Sequence, residues 1–142
     1  MNKEMFLGLA GALGSGLSYA LGGFDTALET LMIFMAADYI TGIIVAGVFH
    51  KSGKTETGCL ESRAGFKGIC RKGLMLLIVI ISHRLDLLMG TEFLRDGTIV
   101  AFICNEALSI VENGGLMGIP VPEKIKSAIE VLSKKGDKND SD

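Results

Sequence analysis

Residue types able to act as nucleophiles, general bases or metal ligands are few in this chain, and their spacing does not suit that work. His50 and His83 are isolated from one another. Cys59, Cys70 and Cys104 are scattered, with no C-x-x-C pair, and their odd number fits neither a zinc site nor a disulfide framework. No Gly-rich phosphate loop and no nucleophile elbow occurs. The sequence therefore predicts no enzyme, no cofactor and no metal. What stands out is ionisable and polar groups set inside apolar stretches. Asp38 lies in Asp38-Tyr39-Ile40-Thr41-Gly42, and His83, Arg84 and Asp86 close a third apolar run. Asn105-Glu106, Ser109 and Glu112-Asn113 interrupt a fourth. A carboxylate at the centre of a membrane helix costs about 2.5–3.5 kcal/mol on insertion scales unless protonated, paired or hydrated. The chemistry these positions offer is thus pairing between helices or the lining of a water-filled path.

The elements that must carry them are hydrophobic helices. The chain has 142 residues, 49% of them hydrophobic, with 19 glycines but two prolines, and a mean hydropathy of +0.44. Apolar segments run over about 5–21, 27–49, 73–89 and 97–119. A bilayer core needs roughly 17–25 helical residues, so all four are at or within the range, the first and third marginally. Four such segments leave too little polar face for a soluble bundle. The expected fold is an all-α integral membrane protein with about four transmembrane helices, or three if the first is interfacial or cleaved. These form a membrane domain over 1–119, and residues 120–142 form a cytoplasmic amphipathic helix and a disordered acidic/basic tail.

Basic residues set the expected orientation. Lys51, Lys54, Arg63, Lys67, Arg71 and Lys72 separate the second and third segments, and Lys124, Lys126, Lys134, Lys135 and Lys138 follow the fourth. The positive-inside rule places both regions in the cytoplasm, with two spans between them and the N-terminus on the same side. Lys67, Arg71, Lys72, Lys124, Lys134 and Lys135 are expected at anionic headgroups. Ser62 is the expected N-cap of a headgroup-level helix that turns into the third span. After Pro120-Val121-Pro122, the residues Ile125, Ala128, Ile129 and Leu132 repeat at helical spacing, and Gly136 is placed to close that helix. A net charge of −2 gives no reason to expect a nucleic-acid partner.

Two helix faces sharpen the expectation. At 100° per residue Thr98, Ala101, Asn105, Ser109 and Glu112 form one stripe, widened by Glu106 and Asn113, with Val100, Ile103 and Ile110 opposite. The stripe must face other helices or water. Within the spans a single Arg84 stands against Asp38, Asp86, Glu106 and Glu112, an excess of acid that favours a water-lined assembly; the alternative is a dry bundle in which Arg84, with His83, pairs with Asp38 and Glu106. In the first segment Gly8, Ala12, Gly16 and Ala20 recur every fourth residue, a small-residue ridge that permits close helix contact in lipid, within or between subunits.

Three strings carry a resemblance to a known family. They are Asp38-Tyr39-Ile40-Thr41-Gly42; Ser62, Gly65, Phe66, Lys67, Gly68 and Lys72; and the polar run Asn105 to Asn113 followed by Gly118-Ile119-Pro120-Val121-Pro122-Glu123-Lys124. Over about residues 28–132 the chain resembles the toxin-secretion/phage-lysis holins of Gram-positive bacteria and their phages. The resemblance implies a small protein of the bacterial cytoplasmic membrane that assembles as a homo-oligomer of many copies among membrane lipids and permeabilises the membrane. An endolysin or a toxin would be its functional partner, without a stable complex, and no catalytic residue or cofactor would be needed. The rival readings are a small ion channel or transporter subunit, and an antagonist or scaffold that forms no pore.

Overall fold

Why these residues fold as they do is clearest at the helix ends. The computed structural model describes residues 2–139, and among them five helices: α1 (Lys3–Ala20), α2 (Thr26–Gly47), α3 (Ser62–Met89), α4 (Phe93–Leu116) and α5 (Glu123–Asn139). The Asp25 carboxylate accepts the Leu28 N–H at 3.0 Å and caps α2. Gly90 ends α3 in the left-handed region, φ 68°, where a side chain would be strained. The start of α4 is capped from outside itself: Asp86 accepts the Leu94 and Arg95 N–H groups at 3.1 and 2.8 Å and the Thr91 hydroxyl at 2.6 Å. One carboxylate thus closes the α3–α4 hairpin.

The starts of α2 and α4 meet through Asp25 and Arg95, while Asn113 near the end of α4 meets Thr41 in the second half of α2. The two helices therefore run parallel, and α3 returns between them in sequence. α4 is the centre, flanked by α2, α3 and α5, whereas α2 and α3 scarcely touch and α1 has no extended contact with another helix. The core gathers Leu28, Leu31 and Met35 with Met75, Val79, Ile99 and Ile103. The inward residues follow heptad spacing: 28, 31, 35, 38, 42 and 45 on α2; 72, 75, 79, 82 and 86 on α3; 99, 103, 106 and 113 on α4. This 3–4 alternation keeps one seam facing a partner.

Several expectations are revised. α2 and α4 are long and apolar enough to cross a membrane, while α1 and α3 fall short on composition. In α1 glycine and serine dilute the leucines; in α3 Lys72, Arg84 and Asp86 add charge. α3 is one continuous helix from Ser62, with no turn near Lys72, and Glu61 rather than Ser62 takes the cap position, without a side-chain cap bond. α5 does not stop at Gly136. It is helical through Asn139, and Gly136 is buried beside Val100. Part of the tail expected to be unstructured is therefore helical, and its last residues, 140–142, lie outside the described residues. α5 folds back along α4, with the Cys104 thiol 3.9 Å from the Ile129 carbonyl.

Candidate functional site

The inward seam turns polar about three turns into each helix. Asp38 of α2 and Glu106 of α4, 6% and 4% exposed, approach one another where these two helices pack. Between them stands Lys72, whose ammonium donates to Asp38 Oδ2 at 2.8 Å and to Glu106 Oε2. Asn113 extends the network, donating from Nδ2 to Thr41 Oγ1 at 2.8 Å, with the Asp38 carboxylate at 3.4 Å. Thr41 donates in turn to the Ala37 carbonyl at 2.9 Å. Two buried carboxylates share one partly buried cation, and the second cation comes from outside. Lys54, in the connection between α2 and α3, places its ammonium 4.0 Å from Asp38 Oδ1 and 3.3 Å from Ser109 Oγ.

Because α2 and α3 hardly meet, a cavity of about 360 Å³ opens between them, α4 and the 48–61 connection. Asp38, Lys72 and Glu106 form its floor; Tyr39, Asn105 and Ser109 its walls; Lys54, Lys67, Arg71, Glu61 and Glu112 its mouth. Tyr39 spans the gap, its hydroxyl donating to the Gly65 carbonyl at 3.4 Å. A Cβ at Gly65 or Gly68 would come into van der Waals contact with the Tyr39 hydroxyl or ring, so the helix passes close to this side chain.

A second cluster lies at the opposite end. Arg95 is buried, donating to the Leu21 and Gly23 carbonyls at 2.5 and 2.9 Å, to both Asp25 oxygens at 2.8 and 3.2 Å, and to Asp96 at 3.1 Å. Gly22 (φ +85°) is required here, since a Cβ would meet Arg95 Nε at 2.7 Å. The hydrogen bonds from Arg95 hold the Asp25 carboxyl below the ordinary carboxylate range.

The sequence-predicted residues fall into three groups. Asp38, Thr41, Glu106 and Asn113 come together as one site. Lys72, expected at the headgroups, instead points inward and supplies the cation expected of Arg84. Arg84 is exposed and has no ion pair among the described residues, and His83 lies at the far end beside Gly22 and Asp86. Asp86 is spent on backbone N–H groups. Lys67 and Arg71 are exposed at the cavity mouth, and Lys124, Lys134 and Lys135 are exposed on α5. The α4 stripe is displaced as well. Ile103, expected on the far side, is in the core, whereas Ala101, Asn105 and Glu112 are exposed, Ser109 is half-buried under Lys54 and Thr98 meets Ser82 at 2.9 Å. The ridge of Gly8, Ala12 and Gly16 is exposed, with open space over both glycines, and Ala20 is half-buried. Sequence reasoning missed Arg95, and it left Lys54 among the basic residues between the second and third apolar segments. The heptad phase of Lys72 with Met75 and Val79 was the available signal for that residue.

The model of the bacteriophage holin family matches residues 15–134. The chain belongs to that family. It is 32% identical over 111 residues to a probable holin of Bacillus phage phi105, covering 78% of this chain and 76% of the phage protein. An uncharacterised protein of Listeria innocua is 38% identical over 134 residues, 92% of this chain and 90% of its own. An uncharacterised 14.9 kDa protein of Clostridium perfringens is 36% identical over 126 residues, 87% and 89% of the two chains. No solved structure matches the chain. The holin family is non-enzymatic, and the charges of the seam pair with one another across α2, α3 and α4.

Proposed function

We propose that this holin-family protein inserts in the bacterial cytoplasmic membrane, associates in many copies and opens lesions through which an endolysin or a toxin leaves the cytoplasm. The observation that carries the reading is the exposed flank of α4. Asn105 and Glu112, at the wall and mouth of the cavity, stay exposed on a helix apolar and long enough to span, and such a face is costly against lipid. A neighbouring subunit covers it in the closed assembly, and water covers it in the open one. Three crossings follow from topology. If the parallel helices α2 and α4 both cross in the same direction, α3 must cross back between them. The ends of α2 and α4 that carry the basic connections then face the cytoplasm, in keeping with the positive-inside rule. α1, with its small-residue ridge facing outward, is the fourth crossing and packs against other subunits. The lysines of α5 are unsuited to hydrocarbon, so α5 leaves α4 for the headgroups once the protein is inserted.

Inducing the protein in bacteria that also carry a cytoplasmic endolysin tests this. Abrupt lysis with release of the folded enzyme is the expected outcome. Leakage of ions alone, with the enzyme retained, would favour a small channel and overturn the proposal.

A further inference from the structure

Lys54 differs from the other cations of the polar seam. Lys72 reaches the carboxylates from within a helix and is nearly buried, whereas the Lys54 side chain is 55% exposed. It arrives on a connection that is folded on itself: Ser52 N–H donates to the Gly58 carbonyl at 3.0 Å, Lys54 N–H to Ser52 Oγ at 3.2 Å, and the Thr57 hydroxyl to Glu61 at 3.2 Å. The strap is therefore a preformed unit laid over the cavity mouth, and the Lys54 ammonium reaches from it to the Asp38 carboxylate. With Lys54 seated, Asp38 and Glu106 are balanced by two cations; with Lys54 withdrawn, the floor keeps an uncompensated negative charge. Beside the seat, Thr55 lines the same cavity, and its Oγ1 is buried. Among the described residues it is the buried side-chain oxygen or nitrogen with no hydrogen-bond partner.

We propose that the 48–61 connection is a latch. Its Lys54 ammonium fills a seat made by the Asp38 carboxylate and the Ser109 hydroxyl, and that seat accepts other primary ammonium groups when Lys54 is absent. The seat stands on geometry alone. Its consequence, that unlatching advances opening, rests on the hole-forming reading.

The test uses the full chain in permeabilised membranes, with Cys59, Cys70 and Cys104 replaced by alanine and Thr55→Cys as the sole thiol. Thr55 Oγ1 makes no hydrogen bond, so the probe removes none. Labelling by a hydrophilic maleimide is expected to be slow with Lys54 present. Lys54→Ala and the bulk-retaining Lys54→Met should raise the rate roughly two- to five-fold, the shift that a half-exposed ion pair can supply. Added ethylammonium should restore slow labelling, whereas tetramethylammonium, which has no N–H to donate, should not. An unchanged rate in Lys54→Met, or equal rescue by both amines, overturns the seat. In cells carrying endolysin, Lys54→Met should bring lysis forward. Faster labelling with unmoved lysis onset would keep the seat and overturn its coupling to opening, whereas absence of lysis in both proteins would count against the hole-forming reading.

Discussion

Lys72 is the residue on which the polar seam depends. Two carboxylates held out of water by the same cation are an expensive arrangement. The desolvation of three charges is repaid only while all three are present. Lys72→Met should therefore cost about 3–5 kcal/mol, the range for removing one partner of a buried ion pair, read as unfolding in detergent. The triple variant Lys72→Met/Asp38→Asn/Glu106→Gln, neutral and of similar volume, should recover most of that loss. A Lys72→Met protein as stable as the parent would show that the carboxylates do not need their cation. The acid excess seen in the sequence is thus largely answered within one protomer, by Lys72 and by the backbone donors at Asp86. It was misread because Lys72 borders a run of basic residues, and its neighbours Arg71 and Lys67 do face outward.

Among the elements, the joint between α1, α2 and α4 is held by one side chain, since Arg95 ties the Leu21 and Gly23 carbonyls to the Asp25 carboxylate. The Asp25 carboxyl titrates below its ordinary value because Arg95 donates to it. Its folded form therefore prefers to be ionised, and the stabilisation is complete above the ordinary carboxylate range. It is lost as pH falls through the lowered value. Between about pH 6 and pH 3 the parent should lose thermal stability by a component that Asp25→Asn lacks, measured in detergent. Equal slopes in the two proteins would contradict the clamp. The helices themselves were legible: α2 and α5 begin within a few residues of where apolar spacing and the Pro120–Pro122 break put them. The long-range partners were not. Arg95 is an ordinary charge just ahead of the fourth apolar segment until the fold brings the α1–α2 turn to it, and nothing local in the sequence records that approach. The orientation of α4 also escaped, because polar width alone does not say which edge of a stripe is turned inward. Glu106 and Asn113, the stripe's margin, are buried, while its middle at Asn105 is exposed.

At the scale of the whole molecule, α4 is a shared wall. One side carries the heptad seam toward α2 and α3, another carries Cys104 and Gly114 against α5 and the chain leading into it, and between them runs an exposed polar flank. A protomer built this way has satisfied its deepest charges and left its shallower polar groups for others. That division matches the proposed sequence of events, in which subunits first cover one another's flanks and later expose them to water. Membership of the holin family gives the setting; the uncovered flank gives the surface on which assembly and opening would occur. The most direct measurement places single cysteines at Asn105 and Ser109, in a chain otherwise free of cysteine, and follows their reaction with a membrane-impermeant thiol reagent through the onset of lysis. Leu77→Cys on the exposed apolar face of α3 serves as the lipid-facing reference. The account predicts that positions 105 and 109 are silent before triggering and become reactive as lysis begins, while position 77 stays silent. Lysis with no change at 105 and 109 would contradict it.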